Sequence, residues 1–317
     1  MIKTEVLIVG GGPAGSACTK RLRELGVDCL ILDRQTFPRP KPCAGWVTPQ
    51  VFNHLGVSPE QYPHGLTHFN SFQVSIKGIK FSLPTHQYAI RRVAFDAWLL
   101  DLAGADPIQH RVEEIQKVET GFVIDNKFQS KFLVGAGGTH CPVRRHFFLP
   151  KQKNGGDGLI IAKEEEFTFP ATDSRCHLWF FEEGLPGYAW YVPKTGGYLN
   201  IGIGASAAGL KHKKMTLNEY WEKFVQKLNA MNLVNGRRFT PSGYSYYLRQ
   251  KRVEPQKGNI LLIGDSLGLA TKDMGEGIGP AIQSGILAAE AINRRKRSYS
   301  TKSIPRYSLG TLLGLRR

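Results

Sequence analysis

Met1-Ile-Lys-Thr-Glu-Val-Leu-Ile-Val-Gly10-Gly-Gly12-Pro-Ala-Gly15 opens this 317-residue chain as a short strand, a glycine turn and the start of a helix. Residues 5–9 are an apolar, β-branched run of strand length. Gly10, Gly12 and Gly15 follow with G-x-G-x-x-G spacing. Gly10 allows the tight turn, Gly12 lets backbone approach a pyrophosphate, and Gly15 lets the helix sit close to the strand. Pro13 suits the first helical turn, where an amide proton is not needed. With Ala14 it starts a helix whose free N–H groups and dipole face the phosphates.

The surroundings strengthen the motif. The helix is expected to run to about residue 26, and residues 29–33 (Cys-Leu-Ile-Leu-Asp) to form a second strand. That strand ends in Asp33, about 20 residues past the glycines, where a carboxylate binds the ribose hydroxyls of an adenosine. The plain alternative is a glycine-rich turn that binds nothing. Strand, turn, helix, strand and acid all agree against it.

Composition bounds the rest. The length allows two lobes and a sizeable core. No apolar run is long enough to span a bilayer, and the N-terminus enters the first strand directly, which leaves no expected signal peptide. Five cysteines (Cys18, Cys29, Cys43, Cys141, Cys176) are widely spaced without C-x-x-C. That points to a reducing cytoplasm and no structural zinc. Nine histidines form no H-E-x-x-H, so no metal site is expected. The formal charge of +16 favours polyanions or an anionic membrane surface. Basic clusters stand at residues 34–41, 211–214, 294–297 and 316–317. No nucleic-acid-binding motif is visible, and a merely solvated basic surface is the bland alternative.

After Asp33 and Arg34 comes a loop stiffened by Pro38, Pro40 and Pro42 and carrying Cys43, Ala44, Gly45 and Trp46. Beside a nucleotide site it is a candidate reacting face; for Cys43 the plain alternative is a small packed side chain. Thr48 caps a helix expected to run to about residue 55. Residues 69–76 and 79–83 alternate around Lys77-Gly78 as a hairpin. Residues 88–92 lead into an amphipathic helix over 95–103. Three short strands are expected at 111–119, 121–125 and 127–134, ending in a second glycine turn at 135–139. Residues 157–206 are rich in strand and aromatic character, including Trp179, Tyr188 and Trp190. Such strands suit the floor of an apolar pocket, or an ordinary sheet core. Thr216 and Glu219 make a capping box for a helix over 216–231.

Nucleotide-site character then returns. Residues 259–265 form a buried strand ending in Gly264-Asp265, and Gly275-Glu-Gly277-Ile278 opens a helix expected to reach about residue 297. A carboxylate at a strand end, followed by glycines at a helix N-terminus, suits a polyol hydroxyl and a phosphate or ring carbonyl. A nicotinamide cofactor does not require this distant second segment; a flavin dinucleotide can use it.

Together these stretches resemble the geranylgeranyl reductase family of FAD-dependent oxidoreductases, within the aromatic hydroxylase-type superfamily. Residues 41–45 (Lys-Pro-Cys-Ala-Gly) are similar to its K-P-C-G-G loop, and residues 92–99 to its R-x-x-F-D-x-W-L helix start. Residues 188–194 (Tyr-Ala-Trp-Tyr-Val-Pro-Lys), followed by Gly202-Ile-Gly204, resemble its Y-x-W-x-F-P-K…G-x-G signature. The resemblance implies an α/β fold: a Rossmann-like FAD-binding domain interleaved with a mixed β-sheet substrate domain. The expected division gives FAD-binding parts at 1–66, 88–156 and 251–298, a substrate-domain hairpin at 67–87, a substrate-binding sheet at 157–250 and a basic tail at 299–317.

The resemblance also implies roles. The glycine turn holds the FAD pyrophosphate, with Asp33 and Arg34 beside the adenosine. Arg92 approaches the phosphates or ribityl chain, Val112 meets the adenine by its backbone, and Gly264-Asp265 takes the ribityl chain or pyrophosphate. Ala44, Gly45, Gly277 and Ile278 lie at the isoalloxazine, and Gly275 is a further cofactor-binding residue. Tyr188 and Trp190 line a substrate tunnel, Trp46 and Trp179 are further substrate-binding residues, and Cys43 is the candidate catalytic residue. Three departures stand out. Gly137 replaces the acid of the family's G-A-D-G, which bears on NAD(P)H as direct reductant. Lys272, followed by Asp273, replaces the proline before G-E-G. The chain ends soon after the last FAD helix, so a shorter or more open cavity is expected.

The leading functional expectation is reduction of carbon–carbon double bonds in an isoprenoid or similar lipid by flavin hydride transfer, with NAD(P)H, ferredoxin or flavodoxin as electron donor. The location expected is cytoplasmic, with peripheral contact to an anionic membrane and no nucleic-acid partner. A monooxygenase hydroxylating an aromatic or apolar substrate is the alternative on the same fold. A non-catalytic basic flavoprotein docking on membrane or nucleic acid is the alternative of another class.

Overall fold

The computed structural model describes residues 1–148, 158–250, 254–294 and 299–308. The opening strand, β1 (Ile2–Val9), lies at the centre of one eight-stranded sheet. It pairs in parallel with β2 (Cys29–Asp33) on one side, Ile8 opposite Ile31. Leu7 and Ile8 are wholly buried, as a parallel strand covered on both faces requires. The first helix, α1 (Pro13–Glu24), carries two arginines, Arg21 and Arg23, in its last turn, where they complement its dipole.

Two segments join a second sheet early: β3 (Trp46–Val47) and the hairpin of β4 (Thr67–Ile76) and β5 (Ile79–Ala89). Between them α2 (Pro49–Leu55) has Thr48 at its N-cap position, but the Thr48 side chain makes no capping hydrogen bond. The hairpin arms outrun the expected 83, because a register shift between Phe69 and Ser71 absorbs Pro84 and lets β5 continue to Ala89. Helix α3 (Arg92–Leu102) begins three residues before the expected 95.

The chain returns to the first sheet with β6 (Ile108–Gln109), β7 (Ile115–Val118), β8 (Gly121–Ile124) and β9 (Phe128–Gly135). The strand expected over 111–119 is confined to Ile115–Val118. Residues before it turn instead around the Asp125 carboxylate, which accepts from the Glu114 N–H at 2.7 Å and meets His110 Nε2 at 2.6 Å. Strand β9 lies against β1, Leu7 opposite Leu133.

After α4 (Pro142–Phe147) the second sheet continues with β10 (Leu159–Thr168), β11 (Cys176–Phe180), β12 (Gly187–Lys194) and β13 (Tyr198–Ser206). Helices α5 (Ala207–Lys213) and α6 (Leu217–Ala230) follow. The edge is closed by β14 (Ser242–Tyr247), a strand the sequence reading did not anticipate. Its order is β14-β10-β13-β12-β11-β4-β5-β3. One face carries Tyr191, Ile201, Ile203 and Trp179 against Tyr220, Trp221, Phe224 and Leu228 of α6, the i, i+4, i+8 stripe of an amphipathic helix. The opposite face carries Phe72, Val74, Leu178 and Trp190.

The capping box of α6 forms as expected: Thr216 Oγ1 accepts from the Glu219 N–H, and Glu219 Oε2 accepts from the Thr216 N–H at 2.7 Å. Thr216→Ala should cost about 1 kcal/mol, read as a lower urea midpoint at unchanged slope.

The chain closes with β15 (Gln256–Lys257), β16 (Ile260–Leu262) and α7 (Ile278–Asn293). Strand β16 pairs with β9, completing the order β15-β16-β9-β1-β2-β6. Helix α7 ends at Asn293, short of the expected 297; residues 295–298 lie outside the described residues, as do 316–317.

Candidate functional site

The glycine turn and Asp33 meet. The Gly11 N–H donates to Asp33 Oδ2 at 2.8 Å, and the Gln35 N–H donates to Oδ1 at 2.9 Å. These bonds hold the carboxylate at the end of β2 against the N-terminus of α1. Pro13 and Ala14 form the first turn of that helix. Above it, an Arg39 guanidinium nitrogen lies 3.6 Å from where a Cβ on Gly12 would stand. Arg34 is exposed just after β2, and Val112 is buried in the neighbouring core.

A second charged group lies along the loop. Arg92 makes two 2.8 Å hydrogen bonds to Asp96, one turn on in α3, and also reaches the Cys43 sulfur. Burial opposes the charge of Arg92, but Asp96 outweighs it and the guanidinium's pKa is raised. Lys41 Nζ stands 2.7 Å from the centre of the Tyr244 ring. Burial, and next the charge of Arg92, push Lys41 down to about 7, although Asp265 works the other way. Asp265 Oδ2 accepts from Tyr244 Oη at 2.8 Å.

Lys41 Nζ and Arg39 Nε are buried without a hydrogen-bond partner. Two under-satisfied cations, one over the start of α1 and one near Asp265, make a site that favours an anion. The residues therefore fit a dinucleotide whose pyrophosphate carries the charge and whose hydroxyls reach the carboxylates.

The apolar part is assembled on the sheet face opposite α6. Trp46 stacks at 6.4 Å on Tyr188 and lies 6.5 Å from Trp190, ring centre to ring centre. Gly202 makes room for Trp190, since a Cβ there would stand 2.2 Å from the indole. Trp190 Nε1 donates to Asn200 Oδ1 at 2.7 Å. Asn200, with the Cys43 backbone N–H, bonds the buried Glu164. Burial raises the pKa of Glu164. For Glu166, burial works against the charge, but Lys194 and Arg91 outweigh it and hold the carboxyl low. Tyr188 Oη donates to the Met274 carbonyl at 2.6 Å. Burial keeps the phenols of Tyr188 and Tyr246 protonated, with Cys43 among the groups near both.

Trp179 is not brought to this place. Strand alternation turns it to the other face, where it meets Phe224 of α6 at 5.7 Å. The expectation that it binds substrate beside Tyr188 and Trp190 yields to that packing. Ala44 packs with the Trp46–Trp190 cluster, and Ile278 packs near Cys43. Gly264 bonds Ser284 Oγ, and a Cβ on Gly277 would meet Asp265 at 3.5 Å. Gly45 lies beside Lys194, and Gly275 beside Tyr246. At the departures, a side chain on Gly137 would press on Cys141 at 3.2 Å. Lys272 is exposed, while the Asp273 carboxylate accepts from the Ser308 N–H at 2.9 Å. Sequence reasoning missed Tyr244 and Tyr246, although Tyr-Ser-Tyr at period two is the mark of a strand with one aromatic face.

Comparison with known proteins matches residues 3–294 to a family model described as an FAD binding domain. A digeranylgeranylglycerophospholipid reductase of Methanosphaera stadtmanae is 26% identical, over 97% of this chain and 82% of its own. A menaquinone reductase of Mycobacterium tuberculosis is 25% identical, over 92% and 77%. In structure, a geranylgeranyl bacteriochlorophyll reductase-like protein of Thermoplasma acidophilum superposes with a TM-score of 0.79 at 21% identity, covering 94% of this chain and 81% of its own. That likeness is one of fold. The chain belongs to the FAD binding domain family and is an FAD-dependent oxidoreductase of the aromatic hydroxylase-type superfamily.

Proposed function

We propose that this chain reduces carbon–carbon double bonds of an isoprenoid or similar lipid. The observation that carries the reading is the aromatic wall of Trp46, Tyr188 and Trp190 standing next to the Cys43 loop. The names of the two relatives above, a digeranylgeranylglycerophospholipid reductase and a menaquinone reductase, support it.

In this reading the start of α1 with Arg39 holds the pyrophosphate, and Asp33 with Arg34 the adenosine end, with Val112 at the adenine. Asp265 with Gly264, and Arg92, take the ribityl side. Ala44, Gly45, Gly275, Gly277 and Ile278 support the ring. FAD, once bound and reduced by the electron donor, would supply the hydride. The protein's own part is orientation, exclusion of water and a proton for the second carbon. Cys43 Sγ, which accepts from the Gly45 N–H at 3.4 Å, is the residue we assign to that proton. Trp46, Tyr188 and Trp190 hold the alkene. The electron donor is NAD(P)H, ferredoxin or flavodoxin, and the +16 charge supports peripheral residence at an anionic membrane.

The test is anaerobic. Reduced holoprotein mixed with a detergent-dispersed polyprenyl lipid should reoxidise as the lipid becomes saturated. Reoxidation by oxygen alone, with a hydroxylated product, would replace this reading with a monooxygenase.

Lys41 gives a separate expectation. Its proton is half lost near pH 7 in the cofactor-free protein, and an anionic ligand draws it back. FAD affinity should therefore fall from about pH 7 upward, by at most about tenfold per pH unit. Lys41→Met should bind weakly and lose that dependence. The unfolded chain keeps the proton to higher pH, so cofactor-free protein should gain stability as pH rises above about 7. Flavin fluorescence titration and urea melts read the two effects.

A further inference from the structure

The core face of the second sheet does not stop at the edge of the protein. On β4 it runs from Phe72 and Val74, both buried, to Ile76, which is 38% exposed. On β5 the same row reaches Phe81, 42% exposed, and Ile79, 73% exposed. Ile79 faces Ile76, and Ile76 faces Phe180 of β11. Just beyond Phe180, Phe181 is 49% exposed. The tip is tied down, since the Lys77 N–H donates to the Phe180 carbonyl at 3.3 Å. These apolar side chains are neighbours across β5, β4 and β11, with the Phe181 ring 6.4 Å from that of Phe180, and so form one contiguous patch rather than scattered surface residues.

Its border is basic. Lys77 and Lys80 are exposed on the hairpin itself. The two acids of the turn following Phe181 are already paired, Glu182 with Lys227 and Glu183 with Lys223. Exposed isoleucine and phenylalanine rimmed by unneutralised lysine suit the interface of an anionic bilayer, where the apolar chains enter the acyl boundary and the amines meet headgroups.

The patch also leads inward. Across the strands Ile79, Ile76, Phe180 and Tyr188 are successive partners on one face. Phe180 stacks on Tyr188 at 5.1 Å, and Tyr188 on Trp46 at 6.4 Å. An unbroken apolar row therefore joins the exposed tip to the Cys43 loop.

We propose that the β4–β5 hairpin tip and Phe181 dock this chain on an anionic lipid bilayer, so that a lipid substrate passes along the Ile79–Ile76–Phe180–Tyr188 row to the site. The passage rests on the lipid-reductase reading; the docking does not. In the test, holoprotein is sedimented with phosphatidylcholine vesicles with and without phosphatidylglycerol. The native chain should sediment with the anionic vesicles. Ile79→Asp/Phe181→Asp should bind at least about tenfold more weakly with its flavin spectrum intact. Lys77→Glu/Lys80→Glu, altering exposed charges only, should weaken binding and its salt dependence. Native protein that ignores both vesicles, variants that bind like it, or self-association through the patch in place of vesicle binding would each overturn the docking. Failure to reduce dispersed lipid without vesicles removes the reductase reading and leaves the docking face standing.

Discussion

Arg92→Ala is expected to lower the stability of the protein by about 3–5 kcal/mol, about a fifth or more of what holds an ordinary domain folded. The cause is the partner left behind. Asp96 is fully buried, and both its oxygens accept from Arg92 at 2.8 Å. The next cation is Arg39, whose Nη1 stands 3.7 Å from Asp96 Oδ2, beyond a good hydrogen bond. Removing Arg92 strands a carboxylate in a medium that cannot solvate it. The double variant Arg92→Met/Asp96→Leu should recover much of the loss, since two apolar side chains carry no such penalty. Urea denaturation of the single and double variants checks both. A single variant within about 0.5 kcal/mol of the native chain would mean that Asp96 is not sealed as described. Flavin content of the double variant then separates stability from any part Arg92 takes in holding FAD.

Gly15→Ala should lose FAD almost completely, with affinity reduced at least about a hundredfold. In an exposed helix interior this substitution stabilises, by about 1 kcal/mol, because alanine loses less backbone freedom. Here space reverses the sign. A Cβ at Gly15 would stand 1.9 Å from the Gly10 carbonyl oxygen and 3.1 Å from its carbon. Both are backbone atoms of the turn itself, so no side chain can step aside. Either α1 moves away from β1 or the turn opens, and both displace the N–H groups that receive the pyrophosphate. Gly243→Ala is the control, because its Cβ would meet only the Ala162 carbonyl oxygen at 3.8 Å. The ratio of flavin absorbance to protein after dialysis against FAD reads the result. A Gly15→Ala protein that stays fully yellow would show that the turn tolerates the shift.

Particular elements show what could be read ahead of the structure. The β1–turn–α1 unit, β2 and the capped α6 stand where the sequence places them, because each depends on interactions within a few residues. The FAD cofactor followed from two such local signals far apart in the chain, and the family match agrees with it. Strand β14 was passed over because Tyr244 and Tyr246 lie in a short polar run whose pairing partner, β10, is some eighty residues earlier. The run at 111–119 looked extended, but Asp125 captured its backbone N–H groups and turned part of it into a loop. Trp179 was grouped with Tyr188 and Trp190 by nearness in sequence, and separated from them by the alternation of β11.

The dinucleotide turn, the acid at the end of β2, the second glycine segment and the capping box of α6 are legible along the chain alone. All of these are written in spacing, because backbone geometry and capping act over a turn or two. Long-range packing sets which face of the second sheet α6 covers and which is left for the Cys43 loop, since both faces are apolar enough to be buried. It alone brought Lys41, Arg92, Tyr244 and Asp265 together, so that a lysine ordinary in sequence sits without a hydrogen-bond partner and with a depressed pKa. Desolvation and electrostatics depend on distance in space, and those four residues are spread over more than two hundred positions of chain.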